Sequence, residues 1–157
     1  VTKGIVHAIL AHVTGDFHEP LHAIMEAKHG CAPGTVTDGG GTTFCVSPHF
    51  KEYGDKIRCV SSLHAFWDAA GGVIRSDTHP YRLPGIINKL KQDYPFNTLE
   101  SCKDLNPTTW LNEDYAFSEF IFSTPEFQYP HQGYIEKSKE IGQQRIAEAS
   151  CRLLQML

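Results

Sequence analysis

The chain has 157 residues, of which 41% are hydrophobic, 11% aromatic and 20% charged. This length fits one domain, so we expect residues 1–157 to form a single domain. Fourteen basic against eighteen acidic residues give a net charge of −4, which excludes a basic stripe that tracks a long duplex. The apolar runs are too short for a membrane span, and the aromatic content argues against disorder.

Five cysteines are spread along the chain, at Cys31, Cys45, Cys59, Cys102 and Cys151. They lie too far apart for a zinc knuckle or a CxxC redox pair. This spread favours disulfides, with one cysteine left over, whereas buried free cysteines are the alternative. We therefore expect a protein that is secreted, at the cell surface or in the endomembrane lumen. The first residues carry no initiator methionine, and they are typical of a chain cut inside a longer protein.

The periodicity of the apolar residues predicts an all-helical protein. A first helix contains Ile5 and Ile9 and stops at Gly15. A glycine-rich loop follows over Gly30–Thr43, with at most a short β-hairpin around Thr42–Val46.

Further helices are predicted from capping residues, prolines and glycines. Ser61 or Ser62 can cap a helix through His64 that ends at Gly71-Gly72. The other predicted helices run from Pro84 to about Tyr94, from Pro107 towards Pro125, and from about Tyr134 to the C-terminus.

Two segments pair a histidine with an aspartate four residues later, His12 with Asp16 and His64 with Asp68. On a helix this spacing places both side chains on one face, one turn apart, where they can bind one ion. A His–Asp helix pair is more often a surface hydrogen bond than a metal site. These pairs lie among apolar residues, however, and His22 adds a third imidazole close to Asp16.

Imidazole nitrogens and carboxylate oxygens are ligands of catalytic zinc, whereas structural zinc favours thiolates. The five candidates, His12, Asp16, His22, His64 and Asp68, exceed the three protein ligands of one open catalytic site. A shared carboxylate such as Asp16 could hold two ions close enough to activate one water between them. The pattern therefore indicates hydrolysis of phosphoesters.

These segments resemble the S1/P1 nuclease family, zinc-dependent enzymes related to phospholipase C. The family patterns HxxGDxxQPLH and NLHxxWD are matched by HVTGDFHEPLH at 12–22 and SLHAFWD at 62–68. DGGGT at 38–42 is similar to the DxGGN loop, and GQQRIA at 142–147 is similar to the C-terminal GxRLA helix. The resemblance covers nearly the whole chain, and it implies a phospholipase C/P1 nuclease-like helical fold with its N-terminal part missing.

The resemblance also implies a cluster of three zinc ions. His12 and Asp16 would bind the first, and His22, His64 and Asp68 would bind the second. Asp16 would also bridge toward the third, which makes it the candidate catalytic residue. The family cleaves single-stranded DNA and RNA and removes 3′-phosphates from nucleotides, by attack of a zinc-activated hydroxide on phosphorus. The bases would stack on aromatic side chains.

The chain departs from the family pattern at several places. Glu19 replaces the usual Gln, and Ser62 replaces an Asn. Thr42 replaces the Asn near the base pocket, and its hydroxyl could still bind substrate. The family's amino-terminal Trp and a further His and Asp precede the segment where this chain begins, so an N-terminal segment is expected to complete the site. We therefore expect about one tight zinc ion, and weak or absent activity, in the isolated chain.

Several residues have less specific interpretations. Phe44 is a candidate for stacking on a base, although packing is the commoner role of a phenylalanine. His18 is expected to support the site or to lie on the surface, because Pro20 disturbs a regular helix before His22. Trp67 is expected to shield the zinc site.

Two other functions remain open. A zinc-dependent phospholipase C would use the same ligands, although the DxGG loop and the Trp67-Asp68 pair favour the nuclease. A zinc-stabilised fragment without catalytic activity is the second alternative.

Overall fold

The computed structural model describes residues 2–27, 36–53, 56–74 and 80–157, and these residues form a mostly helical protein, as predicted. Its helices are α1 (Lys3–Asp16), α2 (Pro20–Ala23), α3 (Leu63–Asp68), α4 (Leu83–Asp93), α5 (Pro107–Tyr115), α6 (Ser118–Ile121) and α7 (Gln132–Met156). Short 3₁₀ helices cover Pro80–Arg82, Phe96–Thr98 and Glu100–Lys103. Strands β1 (Phe50–Tyr53) and β2 (Lys56–Cys59) pair antiparallel. None of the helices in the described residues is both long and apolar enough to cross a membrane.

Side-chain caps set the helix starts that the sequence predicted. Ser62, rather than Ser61, caps α3, because its hydroxyl accepts a hydrogen bond from the Ala65 amide at 3.2 Å. Asn106 caps α5 by accepting from the Thr108 amide at 3.0 Å. The helix predicted between Pro107 and Pro125 is divided, however, because α5 ends at Tyr115 and α6 starts at Ser118.

The predicted hairpin around Thr42–Val46 was wrong. The antiparallel strand pair lies later in the chain and consists of β1 and β2. Phe50 pairs with Cys59, whereas Cys45 forms only an isolated bridge with Ser62. The amide of Thr43 donates to the carbonyl of Asp38 at 3.0 Å. The glycine-rich segment thus turns back on Asp38 and uses the backbone groups that a strand ladder would need.

The core is formed by aliphatic and aromatic side chains from α2, α3, α6 and α7, together with the segment before β1. Trp67 is buried there, and its indole N–H donates to the Tyr134 hydroxyl at 3.1 Å. That hydroxyl donates in turn to the Ile121 carbonyl at 2.7 Å. The buried members are Leu21, Ile24, Phe44, Val46, Leu63, Trp67, Ile121, Tyr134 and Ile141. Because α1 also packs on α7, the two ends of the described chain lie against each other.

Two disulfides connect parts of the fold, as the cysteine pattern predicted. One joins Cys45 to Cys59, and the other joins Cys102 to Cys151 on α7. Cys31 and the start of the glycine-rich loop lie outside the described residues.

Candidate metal centre

The end of α1 and the short helix α2 bring three of the predicted metal ligands together. The i, i+4 spacing puts Nε2 of His12 at 3.3 Å from Oδ2 of Asp16. The other carboxylate oxygen of Asp16 lies 3.5 Å from Nδ1 of His22. Asp16 therefore stands between two imidazoles, as a bridging carboxylate must.

Helix α3 supplies the other two predicted ligands. Nε2 of His64 lies 3.6 Å from Oδ2 of Asp68, and Nε2 of His22 lies 3.5 Å from Oδ1 of the same carboxylate. The rings of His22 and His64 are 5.2 Å apart, centroid to centroid. The five side chains thus form one continuous cluster, in the order His12, Asp16, His22, Asp68, His64.

The donor atoms of this cluster fit zinc in type and spacing. Bonds of about 2.1 Å at tetrahedral angles place donor atoms about 3.4 Å apart, close to the separations found here. His64 is also oriented for binding, because its Nδ1–H donates to the carbonyl of Gly40 at 2.8 Å. This bond leaves the lone pair of Nε2 facing the cluster.

The DGGGT segment holds that carbonyl in place without contributing a metal ligand. Asp38 is fully buried, and its carboxylate accepts hydrogen bonds from the amides of Glu26, Gly40 and Gly41 at 2.9, 3.1 and 2.9 Å. Gly40 has a φ of +64°, and a Cβ there would lie 2.4 Å from the Leu21 carbonyl oxygen. Only glycine allows the loop to approach α2 and His64 this closely.

Glu19 is part of the cluster, although its role was not predicted from the sequence. Single donor atoms of Glu19, His22 and His64 all lie within 4.8 Å of one another. Burial raises the pKa of Glu19 to about 8, and the nearby Asp68 adds to the effect. Its place three residues before His22, at the start of a proline-led helix, is the signal that could have indicated it.

A cleft of about 360 Å³ lies against one side of the cluster. Asp16, Glu19, His22 and Asp68 contribute to its polar part, and residues of α1 and α7 line the rest. Trp67 contributes to the wall of the cleft as well as to the core. The ligand cluster is thus open to a molecule entering between α1, α3 and α7.

A comparison of the whole chain with protein families agrees with this arrangement. The S1/P1 Nuclease family model matches residues 3–157. The chain belongs to the S1/P1 nuclease family. Membership indicates a nuclease-type hydrolase with nucleic acid substrates, and the family is zinc-dependent in general. No curated protein sequence matches the chain.

Behind the cleft, this S1/P1 nuclease family member contains a buried ionic network that the sequence did not reveal. Arg145 and Arg152 project from α7 and are almost fully buried. Arg152 binds both carboxylate oxygens of Glu113 at 2.7 Å, and Arg145 binds one of them at 2.6 Å. Nε of Arg145 also lies 2.8 Å from Oδ1 of Asp114, which is fully buried. Two arginines seven residues apart on the buried face of a helix are the signal that could have indicated it.

His18 belongs to this network. It is only 4% exposed, so of the two expectations, a residue beside the site or a surface residue, the second was wrong. Its Nδ1–H donates to the Thr14 carbonyl at 2.7 Å, and its Nε2 accepts from Arg152 at 2.8 Å. Burial lowers the pKa of His18 to about 4, and the charge of Arg145 adds to the effect. Both ring nitrogens are therefore engaged, and neither is free to bind a metal.

The two candidate substrate-binding residues of this family member lie in different environments. Thr42 is exposed, and its hydroxyl donates to the Asp38 carbonyl at 3.2 Å. Phe44 is only 5% exposed and packs against Phe122 at 6.0 Å between ring centroids. Its ring therefore offers no free face to a base in this structure, and neither residue lines the cleft beside the cluster.

Proposed function

We propose that the chain is a zinc-dependent endonuclease and 3′-nucleotidase. It would hydrolyse phosphodiester bonds of single-stranded DNA and RNA, and 3′-phosphomonoester bonds of nucleotides. The observation that carries this proposal is the continuous cluster of three imidazoles and two carboxylates at the edge of an open cleft.

The proposed ligand sets follow the two ends of the cluster. His12 and Asp16 would hold one zinc ion, and His22, His64 and Asp68 would hold a second. Asp16 is the proposed bridge toward a third, and its position between His12 and His22 supports this role. Bound zinc supplies Lewis acidity and lowers the pKa of water, which is the chemistry that phosphoester hydrolysis needs.

Residues of the chain would orient the ligands and the substrate. Gly40 holds the His64 ring through its carbonyl, so that Nε2 faces the cluster. The walls that α1 and α7 contribute to the cleft carry small and aliphatic side chains such as Ala11, Ala149 and Leu153, which leave an apolar space beside the cluster for a nucleotide base. The net charge of −4 is consistent with a short single strand as substrate.

We also propose that the protein works outside the cytosol, as a secreted, cell-surface or endomembrane-lumen enzyme. The Cys45–Cys59 and Cys102–Cys151 disulfides support this location, because oxidising compartments are where structural disulfides persist.

The test combines metal analysis with hydrolysis of single-stranded DNA, RNA and a 3′-nucleotide by the purified chain. With the ligand set present here we expect about one tightly bound zinc ion and weak turnover that a chelator abolishes. His64→Ala should remove the tight zinc and the turnover. His7→Ala provides the matched control, because His7 is an exposed histidine on α1.

The substrate panel separates the alternatives. Hydrolysis of phosphatidylcholine without cleavage of single-stranded DNA would indicate a phospholipase C instead. Zinc binding without turnover on any of these substrates would indicate an inactive zinc-binding fragment. Three zinc ions per chain would contradict the expectation of about one tightly bound ion.

A further inference from the structure

We propose that Glu19 is a further ligand of the metal ion held by His22, His64 and Asp68, so that this ion has four protein ligands. The inference rests on the proposed function, because it takes the cluster to be a zinc site. It adds one carboxylate to the ligand set that the two HxxxD pairs and His22 define.

The backbone of α2 directs Glu19 into the cluster. Glu19 is the N-cap residue of this helix, and its Oε2 accepts a hydrogen bond from the His22 amide at 2.7 Å. The same oxygen lies 3.7 Å from Nε2 of the His22 ring. The cap bond thus fixes the carboxylate beside the nitrogen that also faces Asp68.

Within the described part of the chain, the second oxygen of Glu19 has no hydrogen-bond partner. The side chain is only 13% exposed, and Oε1 is buried without a hydrogen bond. Among the residues that the structure describes, the ion-pair partner of this carboxylate is the His22 imidazole alone. A carboxylate this deeply buried is costly to keep charged, and a cation bound beside it would reduce that cost.

The cluster has the composition of a complete zinc site when Glu19 is included. Donor atoms of Glu19, His22 and His64 lie within 4.8 Å of one another, and Asp68 lies 3.5 and 3.6 Å from the two ring nitrogens. Two carboxylates balance the charge of a divalent ion, whereas Asp68 alone would leave one positive charge beside the core. Four protein ligands would hold this ion tightly, and zinc can take a water or substrate oxygen as a fifth ligand, so the site stays compatible with the proposed turnover.

Glu19→Gln tests the proposal in the full chain. Glutamine keeps a carbonyl oxygen that can accept from the His22 amide, so the cap remains while the anionic ligand is lost. We expect zinc affinity, measured by competition with a chromogenic chelator, to fall at least about tenfold. The visible absorption of the cobalt-substituted protein should change with the ligand set. Glu119→Gln on α6 removes the same charge from an exposed position and should change neither measurement.

The outcomes separate this inference from the proposed function. Equal zinc affinity in the parent and Glu19→Gln would overturn the role of Glu19 and leave the zinc site standing. Weaker affinity with an unchanged cobalt spectrum would also overturn it, because Glu19 would then act on His22 from outside the coordination sphere. A parent chain that binds no zinc would overturn both proposals. Chemical unfolding of both variants in EDTA shows that the comparison is made between folded proteins.

Discussion

Nη1 of Arg152 donates to Nε2 of His18 at 2.8 Å, and this bond joins the last helix to the segment that carries the proposed metal ligands. His18 lies between Asp16 and Glu19, so its ring position affects the path of the chain between α1 and α2. The same guanidinium forms a two-point contact with Glu113 and donates to the Ser101 carbonyl at 2.9 Å. Arg152 thus connects three segments that are distant in sequence, directly behind the ligand cluster.

Arg152→Lys should therefore destabilise the protein by about 3 kcal/mol. A lysine cannot bind both oxygens of Glu113 and still reach His18, so a fully buried cation loses part of its pairing. Urea unfolding measures the change. Arg58→Lys on β2 is the control, since Arg58 is exposed, and it should change the free energy of unfolding by less than about 0.5 kcal/mol. Equal effects of the two substitutions would contradict the structural role of Arg152.

Asp114 should make the stability depend on pH, because the network contains three carboxylates, those of Glu113, Asp114 and Glu148, for two guanidiniums. Burial raises the pKa of Asp114 from 3.8 to about 7, against the opposing effect of Arg145. The folded state then keeps a proton that the unfolded state loses near pH 4. The contribution of Asp114 to the free energy of unfolding is fully present below pH 4. It is lost as the pH rises to about 7, with a slope of up to about 1.4 kcal/mol per pH unit.

Asp114→Asn should remove this slope. The free energy of unfolding of the variant, relative to the parent, should rise between pH 4.5 and 7 and level off above that range. Urea titrations in EDTA exclude the contribution of bound metal. Asp93→Asn on α4 is the control, because Asp93 is partly exposed and pairs with Lys89 at 2.8 Å. A difference that stays constant with pH for Asp114→Asn would contradict the raised pKa.

The two disulfides should differ in their contributions to stability. The sequence separation is 49 residues for Cys102–Cys151 and 14 for Cys45–Cys59. Loop-closure entropy then gives about 4 kcal/mol for the longer loop and about 3 kcal/mol for the shorter one. Replacing Cys102 and Cys151 by alanines should therefore lower the urea midpoint more than replacing Cys45 and Cys59 does. The reverse order would show that native-state packing, rather than the loop length, decides the contributions.

The closeness of the two His–Asp pairs could be predicted from the sequence because each pair depends on local helix geometry. His12 and Asp16 share a turn of α1, and His64 and Asp68 share a turn of α3. The contact of His22 with Asp68 depends instead on how α2 packs on α3. The family resemblance implied this contact, whereas the residue spacing alone could not predict it.

Other features depend on contacts between distant parts of the chain and could not be read from local patterns. Glu113 meets Arg145 and Arg152 across 32 and 39 residues. The turn of the glycines around Asp38 displaced the predicted hairpin, because side-chain to backbone bonds of this kind have no periodic signal. The burial of Phe44 likewise follows from packing against Phe122, 78 positions later in the sequence.

Gly40→Ala should weaken metal binding without touching a ligand. A Cβ at position 40 would lie 2.4 Å from the Leu21 carbonyl oxygen, so the loop must move and the Gly40 carbonyl must leave Nδ1 of His64. We expect zinc affinity to fall about tenfold, because the His64 ring loses the contact that orients it.

Gly72→Ala is the matched control, since Gly72 also has a positive φ, +91°, but a Cβ there meets no atom within 4 Å. Both variants should lose about 1 kcal/mol of stability from backbone strain, and Gly40→Ala should lose more because of the contact with the Leu21 carbonyl. Only Gly40→Ala should lose zinc affinity, measured by chelator competition. Equal zinc affinities in the two variants would show that the Gly40 carbonyl does not orient His64.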